Sequence, residues 1–161
     1  MATVEVTFTP LPVHVRTARL VATAVARRSG VAESLLDEVR LAVGEACSRA
    51  VEAHQRHCPG QPIRVSLTDD GEQFQVVVTD AVQGSERDLP AGVSLSAGAE
   101  GGNGAALGVD FAEPSGGSVP LRLPEDVGLA VIAGLADDVR IAPAGPGTSV
   151  TMIWKRRTAA F

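Results

Sequence analysis

A chain of 161 residues is about one domain's worth of polypeptide, long enough to bury a core and too short for two ordinary ones. With 45% apolar and 20% charged residues it is not compositionally disordered, and with only 3% aromatics its core must rest on Val, Leu, Ala and Ile. The net charge of −5 argues against direct nucleic-acid binding, which needs a positive footprint to displace counterions, although basic clusters stand at Arg27-Arg28 and Lys155-Arg156-Arg157.

The N-terminus alternates apolar and polar residues from Ala2 to Thr9, with Val4, Val6 and Phe8 on one face. That pattern is unlike a signal peptide, and it predicts a first strand at a sheet edge, ended by Pro10 and Pro12. From Val13 to Ser29 the set Val13, Ala18, Leu20, Val21, Ala24 and Val25 recurs mainly at helical spacing among Arg16, Arg19, Arg27 and Arg28, and Gly30 closes the helix. A second helix is expected from about Glu33 to about His54. Its apolar stripe is Leu35, Leu36, Val39, Ala42, Val43, Ala46, Ala50 and Val51. Pro59-Gly60 and Pro62 break it. Ile63-Val65-Leu67 and Phe74-Val76-Val78 then alternate on either side of D-D-G-E, which reads as a hairpin.

After Thr79 the chain turns to Gly, Ser, Ala and Pro for roughly forty residues, far beyond ordinary loop lengths, and residues 81–123 read as a lid-like glycine-rich loop. Pro124-Glu125-Asp126 opens a short helix containing Val127, Leu129, Val131, Ile132 and Leu135. Strands at Val139 to Ala142 and Ser149 to Trp154 follow, joined by A-G-P-G, and residues 156–161 form a basic tail outside a single domain of residues 1–155. Strand, two helices, hairpin, loop, helix and hairpin is not a βαβ alternation. It predicts an α+β two-layer sandwich, with a mixed, mostly antiparallel sheet and helices on one face.

Cys47 and Cys58 have neither CxxC spacing nor a dense framework, so they read as reduced thiols of a cytoplasmic protein. No apolar run approaches the roughly 18 residues that span a bilayer, and no membrane association is expected.

Chemistry concentrates at few positions. Glu45 and Arg49 lie one turn apart on the second helix, about 40° from each other around its axis, where a carboxylate could activate a hydroxyl and a guanidinium could bind phosphate. An exposed i,i+4 ion pair is the plainer account of the same two residues. Asp80 ends a strand, where an acid can accept hydrogen bonds from an exocyclic amine such as adenine's or simply form a turn. Gly147-Thr148 precedes the last strand, and Gly128 sits in the first turn of the third helix, where free N–H groups could meet an anion.

The run D-E-V-R-L-A-V-G-E-A-C-S-R-A-V-E-A-H from Asp37 to His54, V-V-V-T-D at Val76 to Asp80, G-L-A-V-I-A-G-L-A-D-D-V at Gly128 to Val139 and G-T-S-V-T at Gly147 to Thr151 together carry a resemblance. The chain resembles the anti-sigma-factor serine kinases, a branch of the GHKL ATPases with the Bergerat fold that includes histidine kinases and gyrase. The resemblance implies Glu45 as the general base of phosphoryl transfer, Asp80 as the acid that reads the adenine amine, Thr148 beside the adenine, and Gly84 and Gly128 in the glycine boxes around the nucleotide.

It also exposes two departures. Arg49 stands where the family's asparagine holds Mg²⁺, and a guanidinium has five donors and no acceptor. Val82 replaces the first glycine of the D-x-G-x-G box, here D-A-V-Q-G, so that only Gly84 remains. ATP or ADP is therefore a candidate cofactor, Mg²⁺ lacks its usual ligand, and Arg49 could neutralise phosphate directly. The expected function is an anti-sigma factor that sequesters a sigma factor and switches to an anti-anti-sigma antagonist, with kinase activity weakened or lost. An active serine kinase and a degenerate interaction or dimerisation module are the alternatives. A homodimer would pair through the first strand.

Overall fold

Alternation in the first nine residues and the two hairpin patterns produce strands because each presents one apolar and one polar face, and only the apolar face needs covering. In the computed structural model, which describes residues 1–83, 94–96 and 131–156, they form a six-stranded antiparallel sheet. The elements are β1 (Ala2–Phe8), α1 (Pro12–Arg28), α2 (Glu33–His57), β2 (Ile63–Asp69), β3 (Gln73–Thr79), β4 (Ser94–Ser96), β5 (Asp138–Ala144) and β6 (Gly147–Lys155). The strand order is β1-β2-β3-β6-β5-β4. Every described pairing is antiparallel, so the expected mixed character resolves to the antiparallel form.

Register places one apolar face in line across the sheet. Val4, Leu67, Val76, Met152 and Val139 stand opposite one another in sequence, as do Val6, Val65, Val78, Val150 and Ile141. Both helices contribute to the same core, α1 through Val15, Ala18, Ala22 and Ala26, and α2 through Leu36, Val39, Val43, Cys47, Ala50 and their neighbours. The buried face of α1 differs from the sequence expectation: Val13 and Leu20 are 66% and 60% exposed, while Val15, Ala22 and Ala26 are buried. Small residues at the 18, 22, 26 spacing carry a weak hydropathy signal, yet their size lets a helix sit close to its neighbours.

Pro12 does more than end β1. It occupies the first turn of α1, where its missing N–H costs nothing and its fixed φ favours the helix. At the other end, Gly30 adopts φ +81°, its N–H donates to the Arg27 carbonyl, and Val31 donates to the Ala26 carbonyl. That is a Schellman stop, with Val31 buried beneath it. Gly71 (φ +90°) turns the β2–β3 hairpin, where Asp69 and Asp70 accept the N–H groups of Gly71, Glu72 and Gln73.

β5 and β6 each run two residues past the sequence expectation at the end nearest their shared turn and one at the other, so that Gly147 and Thr148 lie within β6. The extension follows from a tight Gly145-Pro146 turn, where Gly145 takes φ +58° and lets pairing run to Ala144 opposite Gly147. β4, within the stretch read as a loop, pairs with β5; three residues are too few for alternation to show. Trp154 is buried, tilts against Phe74 at 6.2 Å between ring centroids, and donates its indole N–H to the Leu135 carbonyl. Residues 131–135 are helical, consistent with the end of the expected third helix, whose start lies outside the described residues.

Arg156 belongs to the fold and not to a departing tail. Its Nη2 donates to both carboxylate oxygens of Asp69 and to the Ser29 carbonyl, and its backbone N–H donates to Glu72. No described helix is long and apolar enough to cross a membrane.

Candidate functional site

The C-terminal ends of β3 and the N-terminal end of β6 meet because Thr79 pairs with Ser149, the last step of their shared ladder. One residue further on, Asp80 donates its N–H to the Thr148 carbonyl at 2.9 Å. Its Oδ1 accepts the N–H groups of Thr148 at 3.2 Å and Val82 at 3.0 Å. The side chain thus continues the ladder and caps its own turn. Among the described residues Oδ2 accepts no hydrogen bond, which leaves a carboxyl oxygen with spare acceptor capacity at a fixed place.

Gly147 makes this junction possible. A Cβ there would lie 1.9 Å from the Asp80 carbonyl oxygen and 2.7 Å from Oδ1, so only glycine allows the two strands to close. The expected neighbourhood of Asp80 and Thr148 is therefore present, and Thr148 is itself buried. Val82, in place of a box glycine, is also buried, at 5% exposure.

A residue not singled out from the sequence supports the turn from below. His54 is fully buried at the end of α2. The Ala81 N–H, a donor only, points at its Nε2 at 3.0 Å, so Nε2 must be the unprotonated nitrogen. Nδ1 then carries the proton and donates to the Gln61 carbonyl at 2.9 Å. Gln61 is returned to the helix by the Cys58–Gln61 turn, whose first N–H caps the His54 carbonyl. The available signal was a histidine continuing the Leu36, Val39, Val43, Cys47, Ala50 stripe at helical spacing: a polar ring on an apolar face must find partners.

Glu45 and Arg49 flank the buried arc of α2, both half-buried. The plain i,i+4 ion pair between them is not among those formed by the described residues. The Nε of Arg49 is shielded from solvent. Gly44, beside Glu45, gives room for the Arg19 side chain of α1 to cross α2. Cys47 beneath it is pushed up to about 12 by burial, opposed by the Arg19 charge. Burial first and the Asp80 charge second also raise the Cys58 thiol, which marks Cys58 as a neighbour of the site. Gly84 and Gly128 lie outside the described residues.

An adenine ring fits this chemistry. Its amine can donate to the spare Asp80 oxygen, which the junction with Thr148 and Gly147 holds in place. Mg²⁺ does not fit at Arg49, which offers no lone pair. Among the described residues no group of three or more His, Cys, Asp or Glu could hold a metal ion.

Helices packed on an antiparallel sheet, with an acid fixed at the β3 terminus and a threonine opposite it on β6, form an α+β domain with the architecture of the ATPase type. The chain belongs to the family of the histidine kinase-like ATPase domain, whose model matches residues 8–154. Comparison with curated proteins gives no match.

Proposed function

We propose that this domain is an anti-sigma factor that holds a sigma factor by direct contact and releases it to an anti-anti-sigma antagonist, with phosphoryl transfer weakened or lost. One observation carries the reading: Asp80 is tied to Thr148 by hydrogen bonds in both directions, a fixed carboxylate of the kind that could read an adenine amine, and by the resemblance Arg49 stands in place of a metal-binding asparagine. Phosphoryl transfer relies on a metal bridging the β- and γ-oxygens. Adenine nucleotide binding without strong turnover is the consequence.

Four arginines and no acid along α1 suit an acidic partner surface. β1 stands at the sheet edge with its outer N–H and C=O groups free of any described strand, which supports a homodimer through that edge. Two free cysteines suit a cytoplasmic setting.

The test combines binding and turnover. Purified protein is mixed with a candidate sigma factor with and without ADP, and separately with the antagonist, Mg²⁺ and labelled ATP. A sigma complex that survives nucleotide removal, without label transfer, supports sequestration. Label transfer that vanishes in Glu45→Gln establishes the serine kinase instead. Failure to bind any sigma factor leaves the interaction or dimerisation module.

A further inference from the structure

We propose that His54 is the positioning residue that sets the Asp80 carboxylate for a 6-aminopurine, and so decides discrimination between adenine and its oxo analogue. The proposal rests on the nucleotide-site reading above and extends it to a residue outside the ligand's reach.

Ala81 directly follows Asp80, and its N–H has one described acceptor, His54 Nε2. Asp80 is gripped on one side by Thr148 through two hydrogen bonds, and on the other, among the described residues, by the turn of residues 80–82. A peptide plane fixes the Ala81 N–H and the Asp80 carbonyl together. Holding that N–H on a buried ring therefore holds the Asp80 backbone in rotation, and with it the direction of Oδ2. The ring cannot turn: it is fully buried, and Nδ1–H is committed to the Gln61 carbonyl. The second bond also ties the site to the start of β2 and to α2, the helix that carries Glu45 and Arg49.

Asn in place of His54 keeps a donor near the Nδ1 position and removes the Nε2 acceptor. Gln places an acceptor near Nε2. The probes are ADP and inosine diphosphate, which carries a carbonyl oxygen where ADP carries the amine. Wild-type protein is expected to prefer ADP by about tenfold to a hundredfold, the worth of one hydrogen bond to a carboxylate. His54→Asn should weaken ADP and leave inosine diphosphate nearly unchanged, closing the ratio by about tenfold. His54→Gln should restore most of it. Arg156→Ala, far from the turn, should lower the melting temperature without moving the ratio, which separates positioning from general loosening.

A ratio unchanged in a folded His54→Asn protein overturns the proposal and leaves the nucleotide site standing. Wild-type protein that binds neither nucleotide overturns the nucleotide site itself, and this inference with it. Nitrogen-15 spectra of the wild type give an independent check. Protonated Nδ1 with through-bond coupling between Nε2 and the Ala81 amide is expected, and a protonated Nε2 overturns the proposal.

Discussion

Gly147→Ala tests the strand junction on which the site depends. The added methyl would sit 1.9 Å from the Asp80 carbonyl oxygen and 2.6 Å from its carbon, both backbone atoms that no rotamer change can move aside. Restoring ordinary contact near 3.5 Å requires the strand ends to part by about 1.5 Å. That displacement breaks the Asp80 N–H to Thr148 bond at 2.9 Å and the Thr148 N–H to carboxylate bond at 3.2 Å. A neutral bond contributes about 1 kcal/mol and a bond to a charged group about 1.5–3, so the loss is about 2.5–4 kcal/mol. For a chain of this size the melting temperature should fall by about 5–15 °C. The single tryptophan, Trp154, lies buried on β6 against Phe74 and reports the transition by fluorescence in urea or heat. ADP affinity should fall with it. Gly145→Ala is the comparison: its Cβ meets nothing within 4 Å, so only backbone strain at φ +58° opposes it, at about 1 kcal/mol. If Gly147→Ala melts and binds like the wild type, the junction is not the determinant argued for.

Asp69 is held below the ordinary carboxylate range, first by the Gly71 N–H and then by Arg156. Its contribution to stability is complete above that range and is lost as pH falls through the lowered native value, so Asp69→Asn should flatten the acid limb of stability measured by urea titration between neutral and acid pH. Arg156→Ala should cost on the order of 1 kcal/mol, since the pair is partly exposed, and a larger loss would mean that the Ser29 contact dominates. A thiol reagent at neutral pH should label Cys58 slowly and Cys47 only after unfolding, because burial raises Cys47 to about 12; equal rates in the native protein would contradict that burial. Arg49→Asn, which supplies a carbonyl acceptor, should make ADP binding respond to added Mg²⁺ in calorimetry, and an unchanged response would show that the arginine is not what excludes the metal.

Local pattern determined the elements, because helix and strand differ in the spacing at which apolar residues recur. The stripe from Leu36 to Val51, the alternation of Ile63-Val65-Leu67 and Phe74-Val76-Val78, and the stops at Gly30, Pro59 and Gly71 were legible on that ground. The nearness of Asp80 and Thr148 was carried by the resemblance, which sets both beside an adenine. What failed did so where size outweighed hydropathy, as on α1, where Ala22 and Ala26 face the core and Leu20 faces water, or where three residues of β4 were too short to show a period.

Only the tertiary structure decided what the pattern could not carry. It distinguished Gly147 as a point of backbone contact with Asp80 from an ordinary turn glycine, because a clash depends on atoms 67 positions apart in sequence. It drew Arg156 back onto Asp69 and Ser29. It also set the proton of His54 on Nδ1, since the donor facing Nε2 comes from a strand end that the helix meets only after folding. Periodicity is a property of neighbours along the chain, and a binding site is a property of neighbours in space.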